Sequence, residues 1–212
     1  MKKEQKYIIS PKLNSLNRFS PKLKIAILAS GEGSNFQVLI ELAKKELFDI
    51  DIKILICNKK NAGCVKRAND EKIPYFVCEE SSCKNRDDFE KKIIKKLRES
   101  DIELIIMAGW MKIVTEKFIN NVGKKIINLH PSLLPSFKGK NPIKDALENG
   151  SLITGCSVHY VVSEVDSGEL IIQGAIAINK DESIENVTKN IHQVEHLILP
   201  FAISEAGFTI RR

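Results

Sequence analysis

Eight residues near the middle of the chain, Asn128-Leu129-His130-Pro131-Ser132-Leu133-Leu134-Pro135, follow the short apolar run Lys125-Ile126-Ile127. The apolar run is typical of a buried strand, and the two prolines end regular strand pairing. Asn128 and His130 therefore lie at or just beyond the carboxyl end of that strand, the edge where ligands bind in parallel α/β sheets. Residues two apart on a strand point to the same side, so this pair could donate hydrogen bonds to one oxyanion.

The composition is that of an ordinary globular protein: 212 residues, 43% hydrophobic and 28% charged. This length suits one larger domain with a sizeable core. The net charge of +6 comes from lysines dispersed among many acids, without the basic and aromatic interleaving of RNA-binding modules. We therefore expect the positive field to attract small anionic ligands, with no nucleic-acid partner. No run approaches the ~20 apolar residues of a membrane span, so no membrane association is expected.

The five cysteines include no Cys-x-x-Cys pair, and their number is odd. This pattern favours free thiols in a reducing compartment, and we predict a cytoplasmic location. His192-Gln193-Val194-Glu195-His196 matches the pattern of inverted zinc peptidases, but no flanking residue supports a third ligand. We therefore expect no metal.

The basic stretch 1–22 contains Pro11 and Pro21 and lacks the apolar region of a secretory signal. It is predicted to be a mobile N-terminal extension, with an organelle transit peptide as the alternative. Residues 23–212 are predicted to form a single domain.

A strand from Lys24 to Ser30 leads into the turn Gly31-Glu32-Gly33-Ser34-Asn35, and residues 36–43 are predicted to be helical. Strand, glycine turn and helix together aim backbone N–H groups at an anion. The turn is not a dinucleotide fingerprint, because Phe36 replaces its third glycine and no acid follows the second strand. A monophosphate site is favoured, and a simple tight turn with a helix cap is the alternative.

Alternating strands and helices continue to the C-terminus and predict an α/β fold. Residues 154–162 and 170–178 favour an antiparallel pair joined to an otherwise parallel sheet. The apolar turn 108–114 is either core or an apolar wall for a flat ring. The remaining predicted elements are helices over 62–71, 86–99, 142–149 and 183–203, and strands over 51–57, 74–77, 104–107, 125–129 and 208–210.

Asp166 lies between the two C-terminal strands, beside Ser167-Gly168. A carboxylate that faces His130 would favour the protonated imidazole and fix its orientation. The alternative is a turn residue of the kind that commonly precedes glycine. Asn128, His130 and Asp166 taken together favour catalysis, whereas His159, within a strand, is expected to be a satisfied core or shell residue.

These motifs resemble the folate-dependent formyltransferases from about Lys24 onward. Within them the resemblance points to the purine-pathway branch that acts on 5'-phosphoribosylglycinamide. Four strings carry it: Ile127 to Pro135, Gly31-Glu32-Gly33-Ser34-Asn35, Ala108-Gly109-Trp110-Met111-Lys112-Ile113, and Gly155-Cys156-Ser157-Val158-His159 with Asp166. The resemblance implies a Rossmann-like fold with a mostly parallel central sheet, antiparallel C-terminal strands and helices on both faces.

The resemblance also implies a reaction, transfer of the formyl group of 10-formyltetrahydrofolate to the amine of 5'-phosphoribosylglycinamide in de novo purine biosynthesis. It implies small-molecule partners and a monomer or weak homodimer. Two positions depart from the family: Lys112 stands where an arginine is often found, and His192 where Gln or Lys is usual. Lysine keeps the charge but lacks the planar fork of arginine. The implied roles are catalysis by Asn128, His130 and Asp166, substrate binding by Gly33, Ser34, Asn35, Glu195 and His192, and folate binding by Arg86, Met111, Lys112, Ile113, Val114 and Asn128.

The sequence leaves three other functions open. A formyltetrahydrofolate hydrolase and another formyltransferase of the same superfamily, such as one acting on methionyl-tRNA, share the core. A nucleotide-binding module without catalysis is the more distant alternative. Consumption of 10-formyltetrahydrofolate with and without phosphoribosylglycinamide separates these possibilities.

Overall fold

The computed structural model describes residues 7–212, and its strands belong to one eight-stranded mixed sheet. The strands are β1 (Ile8–Ser10), β2 (Leu23–Ala29), β3 (Ile50–Cys57), β4 (Tyr75–Val77), β5 (Leu104–Ala108), β6 (Lys125–His130), β7 (Ile153–Tyr160) and β8 (Leu170–Ala177). The helices are α1 (Ser34–Lys44), α2 (Gly63–Asp70), α3 (Arg86–Glu99), α4 (Glu116–Val122), α5 (Pro142–Glu148) and α6 (Ile184–Arg211), with a 3-10 turn at Glu80–Ser82.

The sheet has the order β1-β8-β7-β6-β5-β2-β3-β4. The five strands from β6 to β4 are parallel, and β7, β8 and β1 join them through antiparallel pairs. This confirms the predicted α/β fold with antiparallel C-terminal strands. From β2 the chain moves to β3 on one side, and later returns to β5 on the other. The carboxyl ends of β2 and β5 thus form the topological switch point where such sheets bind ligands.

Two hydrophobic cores lie on the two faces of the sheet. Along β2, Ile25 and Ile27 belong to one core and Ala26 and Leu28 to the other, because successive strand residues point to opposite faces. Side chains of α1, α2 and α6 complete the first core, and side chains of α3 and α4 complete the second. Burial on both faces explains why the central strands are nearly continuous apolar runs.

The N-terminal segment differs from the predicted mobile extension over residues 1–22. Within the described residues, β1 pairs with β8, Phe19 is buried against Phe48, and the Asn17 backbone N–H donates to Ser204 Oγ at 2.7 Å. Residues 7–22 therefore pack on the domain, because their apolar side chains and backbone groups contact β8, Phe48 and Ser204. Residues 1–6 lie outside the described range.

Two further differences concern helices. Helix α4 is absent from the predicted elements, although Thr115 caps it by accepting from the Phe118 N–H at 3.0 Å and Gly123 ends it with φ 64°. Helix α6 continues to Arg211, so the predicted strand over 208–210 is wrong. Its apolar stripe continues through the buried Ala206 and Gly207, which keeps the last turns against the core. Between residues 7 and 212, no helix combines the length and apolar character needed to cross a bilayer.

Candidate functional site

A cavity of about 780 Å³ opens at the carboxyl ends of β2, β5 and β6, at the switch point of the sheet. It brings together all but one of the residues to which the resemblance assigns a role. Its lining includes Gly33, Ser34, Asn35, Met111, Lys112, Ile113, Val114, Asn128, His130, Asp166, His192 and Glu195. Arg86 is absent from that lining.

The glycine turn forms one side of the cavity. Gly33 precedes α1 with φ 72°, and a Cβ there would lie 2.7 Å from Cys64 Cβ, so both conformation and space require glycine. The first hydrogen bond of the helix runs from Gln37 N to Gly33 O at 2.9 Å. The backbone N–H groups of residues 34–36 precede this first helical hydrogen bond. Together with the helix dipole they suit a phosphate.

Asn35 does not cap α1. Its Nδ2 donates to Glu195 Oε2 at 2.8 Å and so ties α1 to α6, while its Oδ1 is buried without a hydrogen-bond partner among residues 7–212. Glu195 is only 5% exposed, and burial raises the pKa of its carboxyl against the opposing effects of Asn35 and His192. This pair thus leaves a buried amide oxygen and a carboxyl group in the cavity wall beside the glycine turn.

Asn128, His130 and Asp166 meet in the cavity as the sequence predicted. Asp166 Oδ2 lies 3.5 Å from His130 Nδ1, and Asp166 Oδ1 lies 3.5 Å from Asn128 Nδ2. The connection between β7 and β8 brings the carboxylate against β6, and the Gly139 N–H donates to Asp166 Oδ2 at 2.9 Å. The Asn128 and His130 pair at the end of β6 and the sequence-distant Asp166 therefore surround one space.

Both ring nitrogens of His130 face oxygen acceptors. Nε2 lies 3.0 Å from the Phe137 carbonyl oxygen, and Nδ1 faces Asp166. A protonated imidazole satisfies both contacts, because it donates from both nitrogens. His130 is therefore arranged as a hydrogen-bond donor next to an anionic carboxylate.

His159 also belongs to this cluster, which the sequence did not indicate. It pairs with Asn128 across β6 and β7, and its Nε2 lies 3.2 Å from Asn128 Nδ2 and 3.6 Å from Asp166 Oδ1. Its Nδ1 contacts the Tyr160 carbonyl oxygen at 2.8 Å. The expectation of a satisfied, buried histidine is met, but its partners are two of the proposed catalytic residues. Only the strand register reveals this contact.

A buried polar network holds the turn that follows β6. Ser157 Oγ donates to the Ser132 carbonyl oxygen at 2.6 Å and accepts from the Leu134 N–H at 3.1 Å. Gln173 Nε2 donates to both Ser157 Oγ and the Leu134 carbonyl oxygen at 2.9 Å. Strands β7 and β8 therefore fix the backbone directly after His130, another role that the sequence pattern did not indicate.

The segment after β5 forms the apolar wall of the cavity. The Met111 N–H donates to Ser30 Oγ at 3.0 Å, and Trp110 stacks on Phe89 with ring centroids 6.4 Å apart. Met111 and Ile113 remain 66% and 61% exposed, so the wall offers apolar surface to a ligand. Trp110 fits both predictions for this turn, because it belongs to a hydrophobic core and also lines the cavity.

Arg86 lies behind this wall. Its Nη2 donates to the Ile113 carbonyl oxygen, and its Nε lies 3.3 Å from Glu90 Oε1. Lys112 is paired with Glu80. The two positive groups proposed for folate binding are therefore engaged with the protein itself, and both support the wall.

The two histidines of the zinc-peptidase pattern have different surroundings. His192 lines the cavity, whereas His196 is absent from its lining. Burial lowers the pKa of His196, and its Nε2 has no partner in the described part of the chain. Within residues 7–212, no three His, Cys, Asp or Glu side chains form a group that could hold a metal ion.

Comparison with known proteins identifies relatives along most of the chain. The family profile described as "Formyl transferase" matches residues 23–203. Phosphoribosylglycinamide formyltransferase of Bacillus subtilis is 38% identical over 182 residues, which cover 86% of this chain and 93% of the relative. The human trifunctional purine biosynthetic protein adenosine-3 is 37% identical over 88% of this chain, which corresponds to only 19% of that longer protein.

Solved structures agree with the sequence relatives. The crystal structure of phosphoribosylglycinamide formyltransferase from Bacillus halodurans superposes with a TM-score of 0.82 at 30% identity, covering 86% of this chain and 94% of that one. Glycinamide ribonucleotide transformylase 1 from Symbiobacterium toebii gives a TM-score of 0.86 at 27% identity, covering 93% and 94%. The cavity, the sheet order and these matches agree, and the chain belongs to the formyl transferase family.

Proposed function

We propose that this enzyme transfers the formyl group of 10-formyltetrahydrofolate to the amine of 5'-phosphoribosylglycinamide, a step of purine biosynthesis. The observation that carries the proposal is that Asn128, His130 and Asp166 surround the same cavity as the anion-binding turn of α1. The similar bacterial proteins and structures carry the name of this activity. The free thiols support a cytoplasmic location for the enzyme.

The two substrates take opposite sides of the cavity. The phosphate binds the amides at the start of α1, and the sugar lies toward Asn35 and Glu195, whose polar atoms face that side. The flat ring of the folate packs on the apolar wall at Met111 to Val114. The amine and the formyl group then meet beside His130.

The chemistry needs donors where negative charge develops. The neutral amine attacks the formyl carbon, and charge builds on the formyl oxygen. Asn128 Nδ2 and His130 donate to that oxygen, which takes the place of the Phe137 carbonyl at His130 Nε2. Asp166 holds the imidazolium and, directly or through water, helps move the proton from the attacking nitrogen to the departing folate nitrogen.

Steady-state kinetics of His130→Ala test this assignment. Because an oxyanion donor is lost, kcat is expected to fall ~10²–10³-fold with the fold intact. His196→Gln changes a histidine of α6 that does not line the cavity and serves as the matched control. A folded His130→Ala enzyme with near-normal kcat/KM contradicts the role.

The choice of acceptor is tested with wild-type enzyme. Consumption of 10-formyltetrahydrofolate is expected to require phosphoribosylglycinamide. Equal consumption in water alone favours the hydrolase, and no consumption under either condition favours a binding module.

A further inference from the structure

A pair of cysteines lies outside the cavity, between β4 and α3. Cys78 Sγ and Cys83 Sγ are 3.8 Å apart; Cys78 is buried and Cys83 is partly exposed. Lys92 Nζ lies 3.4 Å from Cys83 Sγ and also pairs with Asp88 at 2.9 Å. The mechanism proposed above uses neither thiol.

We propose that Cys78 and Cys83 form a peroxide-sensitive dithiol that closes to a disulfide and acts on the folate-binding wall. The two sulfurs need to approach by less than ~2 Å to reach bonding distance. Only Cys83 is open to solvent, so it meets the oxidant first. Burial and the neighbouring Cys83 raise the pKa of Cys78 to about 12, so Cys78 is the resolving thiol and not the first nucleophile.

The reaction balances with one hydroperoxide. Cys83 sulfur attacks a peroxide oxygen, the S–O bond forms, the O–O bond breaks, and the leaving oxygen takes a proton as water or alcohol. The ammonium of Lys92 stabilises the negative charge on Cys83 during this attack. Cys78 sulfur then attacks the sulfenic sulfur, the S–S bond forms, and the hydroxyl leaves with the Cys78 proton as water. The two thiols lose two electrons and two protons.

The segment between the two cysteines supports the wall of the cavity. Glu80, in the 3-10 turn, pairs with Lys112, and Arg86, shortly after Cys83, donates to the Ile113 carbonyl oxygen. A disulfide moves the turn that carries Glu80 and the start of α3. We therefore expect oxidation to weaken binding of the folate co-substrate; this second part rests on the proposed function.

Another cysteine pair provides an internal control. Cys57 Sγ and Cys64 Sγ lie 3.6 Å apart, but both residues are fully buried. If proximity alone governed oxidation, this pair would react at least as readily. If access by peroxide governs it, the Cys78 and Cys83 pair reacts first.

Mass spectrometry after brief hydrogen peroxide treatment separates the pairs. Trypsin cuts after Lys72 and Lys84, so Cys78 and Cys83 share one peptide, whereas Cys57 and Cys64 fall in separate peptides. We expect the 73–84 peptide to lose two hydrogens and resist alkylation until dithiothreitol is added. Sulfinic acid at Cys83, or a disulfide at Cys57 and Cys64 formed equally fast, overturns the proposal.

Variants test the role of the Lys92 charge and the effect of the disulfide on folate binding. Lys92→Met is expected to slow disulfide formation about three- to tenfold, whereas Lys91→Met, which removes the adjacent lysine, leaves the rate unchanged.

The oxidised wild type is expected to show a roughly threefold or greater rise in KM for 10-formyltetrahydrofolate, reversed by dithiothreitol and absent in Cys83→Ser. An oxidised enzyme with unchanged KM contradicts the coupling. The mass measurement does not depend on activity, so failure of the proposed function is distinguished from failure of the dithiol.

Discussion

Asp166 is the residue on which the geometry of the proposed catalytic cluster depends. Burial pushes the pKa of its carboxyl up, but contacts with His159, the Gly139 N–H and His130 outweigh burial and hold the pKa below its usual range. Asp166 is therefore ionised at neutral pH. Asp166→Asn is expected to keep the fold and lower kcat ~10²–10³-fold, because the neutral amide no longer supports a protonated His130. Steady-state kinetics on the folded variant check this.

The lowered pKa of Asp166 also predicts a pH dependence of stability. A carboxyl group with a depressed folded-state pKa stabilises the fold above its unfolded pKa of about 3.9, and this stabilisation is lost as pH falls through the folded value. Urea unfolding at pH 7 and pH 3 should therefore show that the unfolding free energy falls less on acidification in Asp166→Asn than in the wild type. Equal losses contradict the assignment.

Gly33 is the residue whose replacement tests the anion-binding turn. Alanine at φ 72° is strained, and its Cβ meets Cys64 Cβ at 2.7 Å. Gly33→Ala is expected to cost about 2 kcal/mol or more in unfolding free energy and to raise KM for the phosphate-bearing substrate. Gly31→Ala is the matched control for stability, since a Cβ there meets no atom within 4 Å. Equal unfolding free energies for the two variants contradict the packing argument.

Helix α6 carries Glu195, which lines the cavity, and this element predicts an opposite pH effect. Burial raises the pKa of Glu195, so the folded state binds its proton more tightly than the unfolded state. Stability from this group is present at low pH and is lost as pH rises from about 4.3 through the folded pKa. Glu195→Gln should remove that loss, so its melting temperature relative to wild type rises between pH 4 and pH 8. A constant difference contradicts this expectation.

At the scale of the whole molecule, residues 7–22 join β8 to the end of α6. Phe19 is 6% exposed, packs with Phe48, and lies beneath the Arg211 guanidinium at 5.3 Å. Phe19→Ala is expected to cost about 3 kcal/mol because it leaves a cavity, with kcat unchanged. Ile8→Ala is the control, since Ile8 is 71% exposed. Chemical denaturation of both variants checks this, and equal decreases in unfolding free energy contradict a structural role for Phe19.

The sequence by itself determined most elements from β2 to α6 in their order, but not β1 or α4, because apolar runs, glycine turns and caps are local signals. It also determined the chemical types at the site: a glycine turn before a helix, an amide and an imidazole at a strand end, and a carboxylate in a loop. Helix α4 and the full length of α6 were open to the same reasoning, since Thr115, Gly123 and the stripe through Ala206 are visible in the chain.

Only the tertiary structure decided which side chains touch. Strand register places His159 against Asn128, helix packing joins Asn35 to Glu195, and the wall binds the guanidinium of Arg86. The same holds for the pairing of β1 with β8. The physical reason is that secondary structure follows from interactions between near neighbours in the chain, whereas these contacts join groups whose proximity depends on how the whole sheet and its helices pack.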